Sequence, residues 1–341
     1  MSPKLIFFGG KGGVGKSTTS AATAVYLAKL RPDKKIFLIS FDIAHNLGDL
    51  FNMEIGDKIT QVLPNLWAME PDAERYTEDF VKVFVEKAKK LALDMPLVKK
   101  LTNLEQYIEE SFSAASIPLA VKNSIFFDQI LESENDFDMF IVDMPPTGNM
   151  VSIFEVPKTT MQVFLKSTLE TMDKVLEFVA AMRRLNPANW FRPGATERRK
   201  NQAAELLGML KELDRRNDHI MRMLKTMSSL RFVTIAERPS YEEIRRAADL
   251  VKKYVPLDGV VINKLNHEGI DCKYCATETV HQKKYVKLIE EDEHFRGKKI
   301  WQTWRMEDEV IGIDKLEEFA KSLYKDDTFE MILRPSRPGD V

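Results

Sequence analysis

The chain has 341 residues, a formal net charge of −2, 44% apolar and 30% charged residues, and two cysteines. That balance suits a large buried core. It argues against a disordered polymer, a disulfide-stapled module and an electrostatic binder of nucleic acid or anionic membrane. No run approaches the ~20 apolar residues needed to cross a bilayer. The N-terminus enters "KLIFFGG" without a basic-plus-apolar signal segment, so a cytoplasmic protein without a nucleic-acid partner is expected.

In chain order, "KLIFFGG" (4–10) reads as a buried strand ending in glycines. A loop follows, then a helix from about Ser17 with Ala21, Ala24, Val25 and Ala28 on one face. Four more short apolar runs read as buried parallel strands: Ile36 to Ser40, Met139 to Asp143, Phe232 to Ile235 and Val260 to Asn263. Each ends in polar residues on the side where open α/β sheets hold ligands. The long helix-rich stretches of about 72–135 and 150–229 exceed simple crossovers and are expected to form a helical subdomain inserted into one domain spanning 1–341. The Pro-broken basic stretch 186–200 reads as a loop between helices. The fold class expected is α/β, a phosphate-loop nucleotide hydrolase with a mostly parallel twisted sheet.

The strand–loop–helix at the start carries G-x-x-x-x-G-K-[ST] in "GGKGGVGKST". Backbone N–H groups from Gly12, Gly13, Val14, Gly15, Lys16, Ser17 and Thr18 at a helix N-terminus can wrap the phosphates of ATP. Lys16 would reach the β and γ oxygens, and the Ser17 hydroxyl would bind Mg²⁺. Asp42, following the second strand, is placed to orient the attacking water, with a turn or cap role as the plain alternative. Asp143, at a strand end before "MPPTGN", would complete the Mg²⁺ site. Asn263 could meet a base or act as a cap.

Lys11 stands five residues before the usual lysine and points out of the loop's mouth. It could act as a cationic finger toward a facing subunit's nucleotide. "GGKGGVGKST" resembles the deviant Walker A motif of the ParA/MinD, nitrogenase iron protein and arsenite-pump ATPases, which are nucleotide-sandwich dimers. The resemblance implies a homodimer in which Lys11 serves the partner's ATP. "FDIAHNLGD" resembles the "TDPAHNLSD" switch of the arsenite-pump and tail-anchored-protein-targeting ATPases, and "VDMPPTGN" resembles their "DTAPTGH". "VTIAERPSYEEIRRA", "VVINKLN" and "DEVIGIDKLEEFAKSL" follow in the same order. Ile43, Met144, Pro145 and Asn149 depart from the family pattern, whereas Lys16, Ser17, Asp42 and Asp143 do not.

Cys272 and Cys275, in "DCKYC", can grip one face of a tetrahedral zinc, and a two-fold partner would supply the other two thiolates. A redox pair, or two cysteines with no special role, stays open. Such a pair after the "INKL" strand resembles the targeting branch. That resemblance implies a cytosolic dimer that closes on ATP around the transmembrane helix of a tail-anchored client and delivers it to a membrane receptor. The alternative is a subunit driving an arsenite or anion efflux pump. Leucines and methionines recur at helical spacing along 206–227, and Met172, Leu206, Leu210, Leu213, Met221 and Leu224 are the expected client groove. Packing as subdomain core is the plain alternative for each of them.

Overall fold

The computed structural model describes residues 4–42, 46–72, 119–155, 215–267 and 272–334. Single residues and short stretches between 75 and 86, at 208, at 211–212 and at 269 are also described. The chain divides into two compact units, one formed by Met1–Pro71, Asp128–Glu155 and Met221–Val341, the other by Asp72–Phe127 and Val156–Ile220. The first holds the sheet.

The described elements run β1 (Leu5–Gly9), α1 (Lys16–Leu30), β2 (Ile36–Ser40), α2 (Leu47–Phe51), β3 (Thr60–Leu63), β4 (Leu66–Met69), α3 (Leu119–Glu132) and β5 (Met139–Asp143). After these come α4 (Thr147–Phe154), a helix α5 over 215–226, β6 (Ser228–Ile235) and α6 (Arg238–Val251). The chain continues through β7 (Leu257–Leu265), α7 (Lys273–Glu291), β8 (Lys299–Trp304), α8 (Ile313–Tyr324) and α9 (Phe329–Leu333).

The eight strands form one sheet in the order β3-β4-β2-β5-β1-β6-β7-β8. Only the β3–β4 pair at the edge is antiparallel. β1, β2 and β5 are buried along their whole length, as expected of parallel strands covered on both faces. β1 lies between β5 and β6: the chain goes from β1 to β2 on one side, and after β5 it crosses to β6 on the other, and the crevice at the C-terminal end of β1 is where such sheets bind ligands.

The strands at β2 and β5 match the apolar runs that announce them. β6 and β7 begin earlier than their runs, at Ser228 and Leu257. The reason for β6 is a buried arginine. Arg231 is fully buried, lies against the rings of Phe8 and Trp301, and donates a hydrogen bond to the Ile332 carbonyl of α9. A charge in a core position hides the strand from an apolar-run reading. β3 and β8 are half-exposed edge strands with mixed composition, and neither forms an apolar run.

α1 is buried from Thr19 through Ala28 on every side rather than along one stripe. Its small residues permit this. The hydroxyls of Thr19, Ser20 and Thr23 return to the helix's own carbonyls at Gly15, Ser17 and Thr19, 2.7, 3.0 and 2.6 Å away, so no donor is stranded. Tyr324 of α8 stacks on Tyr26 at 5.9 Å and shares a 2.7 Å hydrogen bond with Thr23, fastening the C-terminal helix to the helix that follows the phosphate loop. Asn65, just before β4, lies within 3.1 Å of the carbonyls of Ala28, Arg31 and Lys34 and closes the end of α1. Fully buried aliphatic side chains such as Leu27 and Leu38 each contribute about 1.5–3 kcal/mol to this packing.

Candidate nucleotide site

The turn from β1 into α1 is built on backbone that only glycine adopts without strain. Gly10, Gly13 and Gly15 have φ of 150°, 80° and 94°. A Cβ on Gly15 would stand 2.4 Å from Asn263 Nδ2, and one on Gly10 would stand 2.0 Å from the Val233 carbonyl oxygen. The loop is therefore pressed between α1 and the ends of β6 and β7. The N-terminus of α1 has no side-chain cap and no acidic residue in its first turn, which leaves the positive end of the helix dipole uncompensated.

Four strand ends converge on this loop. Lys16 is buried, and its ammonium donates to the Lys11 carbonyl at 3.3 Å and lies 3.9 Å from Asp42 Oδ2. Ser40, the last residue of β2, donates its hydroxyl to Asp143 Oδ2 at 3.0 Å and accepts the Asp42 N–H at 3.3 Å. Asp143, closing β5, is fully buried, and its Oδ1 has no hydrogen-bond partner. Burial pushes its carboxyl up to about 7, against the opposing pull of the Ser17 hydroxyl and the Lys16 charge. Thr147, at the start of α4, also carries a buried hydroxyl oxygen without a partner.

An unpaired carboxylate oxygen beside a serine hydroxyl at a phosphate-loop mouth fits a hard divalent cation. Such a cation takes oxygen ligands and would remove the cost of ionising Asp143. The orphan Thr147 oxygen fits a group arriving at the "PPTG" turn. Ser40, Glu237 and Lys264 belong to this neighbourhood and escaped the sequence reading. Ser40 ends an apolar run two residues before Asp42, which is the one local signal that could have found it.

The Lys11 ammonium lies 3.4 Å from Glu237 Oε1, and both side chains are about two-fifths exposed, at 38% and 43%. Asn263 is buried, and its amide donates to the Val14 carbonyl at 2.9 Å and accepts the Lys264 N–H at 2.8 Å. In this state the amide braces the loop rather than standing free for a base.

The cysteines lie at the start of α7, well removed in sequence from the phosphate loop. Cys272 is the N-cap, and its sulfur accepts the Cys275 N–H at 3.5 Å. Hydrogen bonds from Cys275 and the Tyr274 N–H lower the Cys272 thiol below its ordinary range, which favours the thiolate a metal or an oxidant needs. Cys272 is exposed and Cys275 partly so. Among the described residues, no group of three or more His, Cys, Asp or Glu is positioned to hold a metal. Two thiols are half a tetrahedral site.

Of the expected client groove, Met172, Leu206, Leu210 and Leu213 lie outside the described residues. Met221 is half-buried, and Leu224 is corrected: it is fully buried, one residue from the equally buried Met223, where α5 runs into β6. A side chain committed to the core cannot line a groove. Among the described residues, no helix is long and apolar enough to cross a membrane.

The glycine-bent loop, the buried lysine and the strand-end carboxylates on a mostly parallel sheet define a phosphate-loop nucleotide hydrolase. The profile of the anion-transporting ATPase (ArsA) family matches residues 3–325, and the chain belongs to that family. It is an ATPase that uses ATP and Mg²⁺. It is similar to "ATPase GET3" of Komagataella phaffii, 30% identical over 328 residues covering 94% of this chain and 90% of the relative. It is also similar to "Putative arsenical pump-driving ATPase 2" of Aquifex aeolicus, 28% identical and covering 94% and 99%. A third relative, "ATPase GET3" of Candida tropicalis, is 28% identical over 94% of this chain and 90% of its own length.

Proposed function

We propose that this ATPase works in the cytoplasm as a homodimeric targeting factor for tail-anchored membrane proteins. The observation that carries the reading is the exposed thiol pair at the N-terminus of α7. Cys272 and Cys275 offer two of the four ligands a structural zinc takes, and a two-fold partner supplies the other two. Relatives named GET3 across nine-tenths of their length support the same branch.

Ser17 and Asp143 would hold Mg²⁺, and Lys16 would neutralise charge on the phosphates of bound ATP. When bound, the ion supplies Lewis-acid stabilisation of the leaving group. Asp42, next to Lys16, positions the attacking water. Lys11 leaves Glu237 and reaches the partner's nucleotide as the dimer closes. Closure assembles an apolar surface from Met172, Leu206, Leu210, Leu213 and Met221 that shields a client transmembrane helix. Hydrolysis opens it at a membrane receptor.

The test is co-expression with a protein bearing one C-terminal transmembrane helix, using Asp42→Asn to hold the closed state. A complex that survives purification, and is lost when Leu206 and Leu210 become aspartate, supports targeting. Absence of any complex, together with hydrolysis stimulated by arsenite, moves the chain to the pump-driving role named for its Aquifex relative.

A further inference from the structure

β7 slips its register against β8 between Ile262 and Leu265, so Asn263 and Lys264 sit in a bulge. Successive side chains of a regular strand point to opposite faces. Here two successive side chains reach the same target. Asn263 Nδ2 donates to the Val14 carbonyl at 2.9 Å, and Lys264 Nζ donates to the Gly13 carbonyl at 2.8 Å.

Lys264 adopts φ 59°, a left-handed conformation uncommon for a residue with a Cβ. Its surroundings hold it there. Its N–H is bonded to Asn263 Oδ1 at 2.8 Å, and its carbonyl accepts Gln282 Nε2 of α7 at 3.2 Å. Backbone strain of this kind persists where neighbours over-determine it, and such places are commonly functional.

The two carbonyls belong to consecutive peptide units, Gly13–Val14 and Val14–Gly15. In a planar trans peptide the N–H points away from the C=O. Pinning both oxygens toward β7 therefore turns the N–H groups of Val14 and Gly15 to the opposite side of the loop, as an anion cradle requires. We propose that Lys264 is a positioning residue for ATP hydrolysis: with Asn263 it fixes two consecutive peptide planes of the phosphate loop before nucleotide arrives. An unpinned loop with glycines on both sides of Val14 would have to be ordered by the nucleotide, and that ordering is taken out of the affinity.

The test is steady-state ATP hydrolysis by Lys264→Met, which keeps the alkyl stem and removes the donor. It is run at about 0.5 M salt, where long-range attraction between lysine and phosphate is screened. KM for ATP is expected to rise roughly tenfold, the effect of losing a charged hydrogen bond, with kcat nearly unchanged. Lys264→Arg, which can still donate to Gly13, is expected to restore most of the loss. Inhibition by inorganic tripolyphosphate should weaken in parallel, because the defect lies in the phosphate cradle.

An unchanged KM in Lys264→Met overturns the proposal. So does a weakened KM for ATP with undiminished tripolyphosphate binding, which would place Lys264 against the base instead. A fall in kcat together with the thermal midpoint, unrescued by arginine, would reduce the residue to a structural one. The readouts are KM for ATP and inhibition by tripolyphosphate, neither of which involves a client, so a failure of client delivery leaves this test standing.

Discussion

The crevice at β1 and the start of α7 are both built from short polar motifs at element ends, yet they differ in completeness. In the crevice, β1, β2, β5 and β7 of one chain bring Lys16, Ser40, Asp143 and Asn263 around the loop, and all four are buried. At α7 one thiol is exposed and the other partly so, two thiols where a tetrahedral metal site would need four ligands. A buried site that already positions its polar groups needs a ligand. An exposed pair of thiols would need a second protein surface to complete a metal site. Lys11 shares the second character although it lies in the first motif, for its side chain is two-fifths exposed and lies against Glu237.

The sharpest way to break the comparison is Lys11→Ala. If the crevice depends on a partner's lysine, hydrolysis falls by about 10³-fold while ATP binding changes little. Mixing Lys11→Ala chains with Asp42→Asn chains then restores part of the activity, because mixed dimers contain one intact site. Two inactive parents with no recovery on mixing would put Lys11 on its own nucleotide and make the crevice complete within one chain.

Asp143→Asn sharpens the other side. Hydrolysis should fall roughly 10²–10³-fold through loss of the charge facing the metal. The nucleotide-free protein should nevertheless become more stable at pH 8, read as a higher thermal midpoint. The folded-state pKa of Asp143, about 7, stands above its unfolded value of about 4. The folded state therefore binds this proton more tightly, and stability from this group falls as pH rises from about 4 to about 7. Asparagine removes that burden. A variant destabilised at pH 8 would mean that the ionised carboxylate has partners other than an incoming cation.

Cys272→Ser is expected to have the smallest effect on hydrolysis. It should remove about half a bound metal ion per chain and weaken the nucleotide-free dimer, as measured by metal analysis and mass in solution. Unchanged metal content and mass would return the thiols to the redox or incidental readings.

How far the sequence could be read differs along the same divide. The phosphate loop, β2 and β5 are local: glycine spacing and uninterrupted apolar runs report the conformation directly. The base-facing role suggested for Asn263 came from its position at a strand end, whereas its amide grips Val14 because a bulge aims it there. Lys264 attracted no notice, since an exposed lysine beside an asparagine has no pattern of its own. Arg231 masked the first half of β6, and Leu224 counted as groove lining by periodicity although its helix buries it beside the sheet. Periodicity shows that a face is apolar but not what covers it.

The sequence by itself announced the mostly parallel sheet, the phosphate loop with Lys16 and Ser17, the carboxylates Asp42 and Asp143 that follow or close strands, and the C-x-x-C spacing of Cys272 and Cys275. Each of these is announced locally, by glycine spacing, by an uninterrupted apolar run or by a polar residue that follows such a run, whereas which strands pair joins residues far apart. Only the tertiary structure decided that Lys11 rests on Glu237, that Ser40 joins Asp143 to Asp42, and that Asn263 and Lys264 brace the loop. The Lys11, Asp143 and β7 contacts join residues more than 100 positions apart. They depend on strand order and on one register slip, and neither leaves a mark on the local sequence.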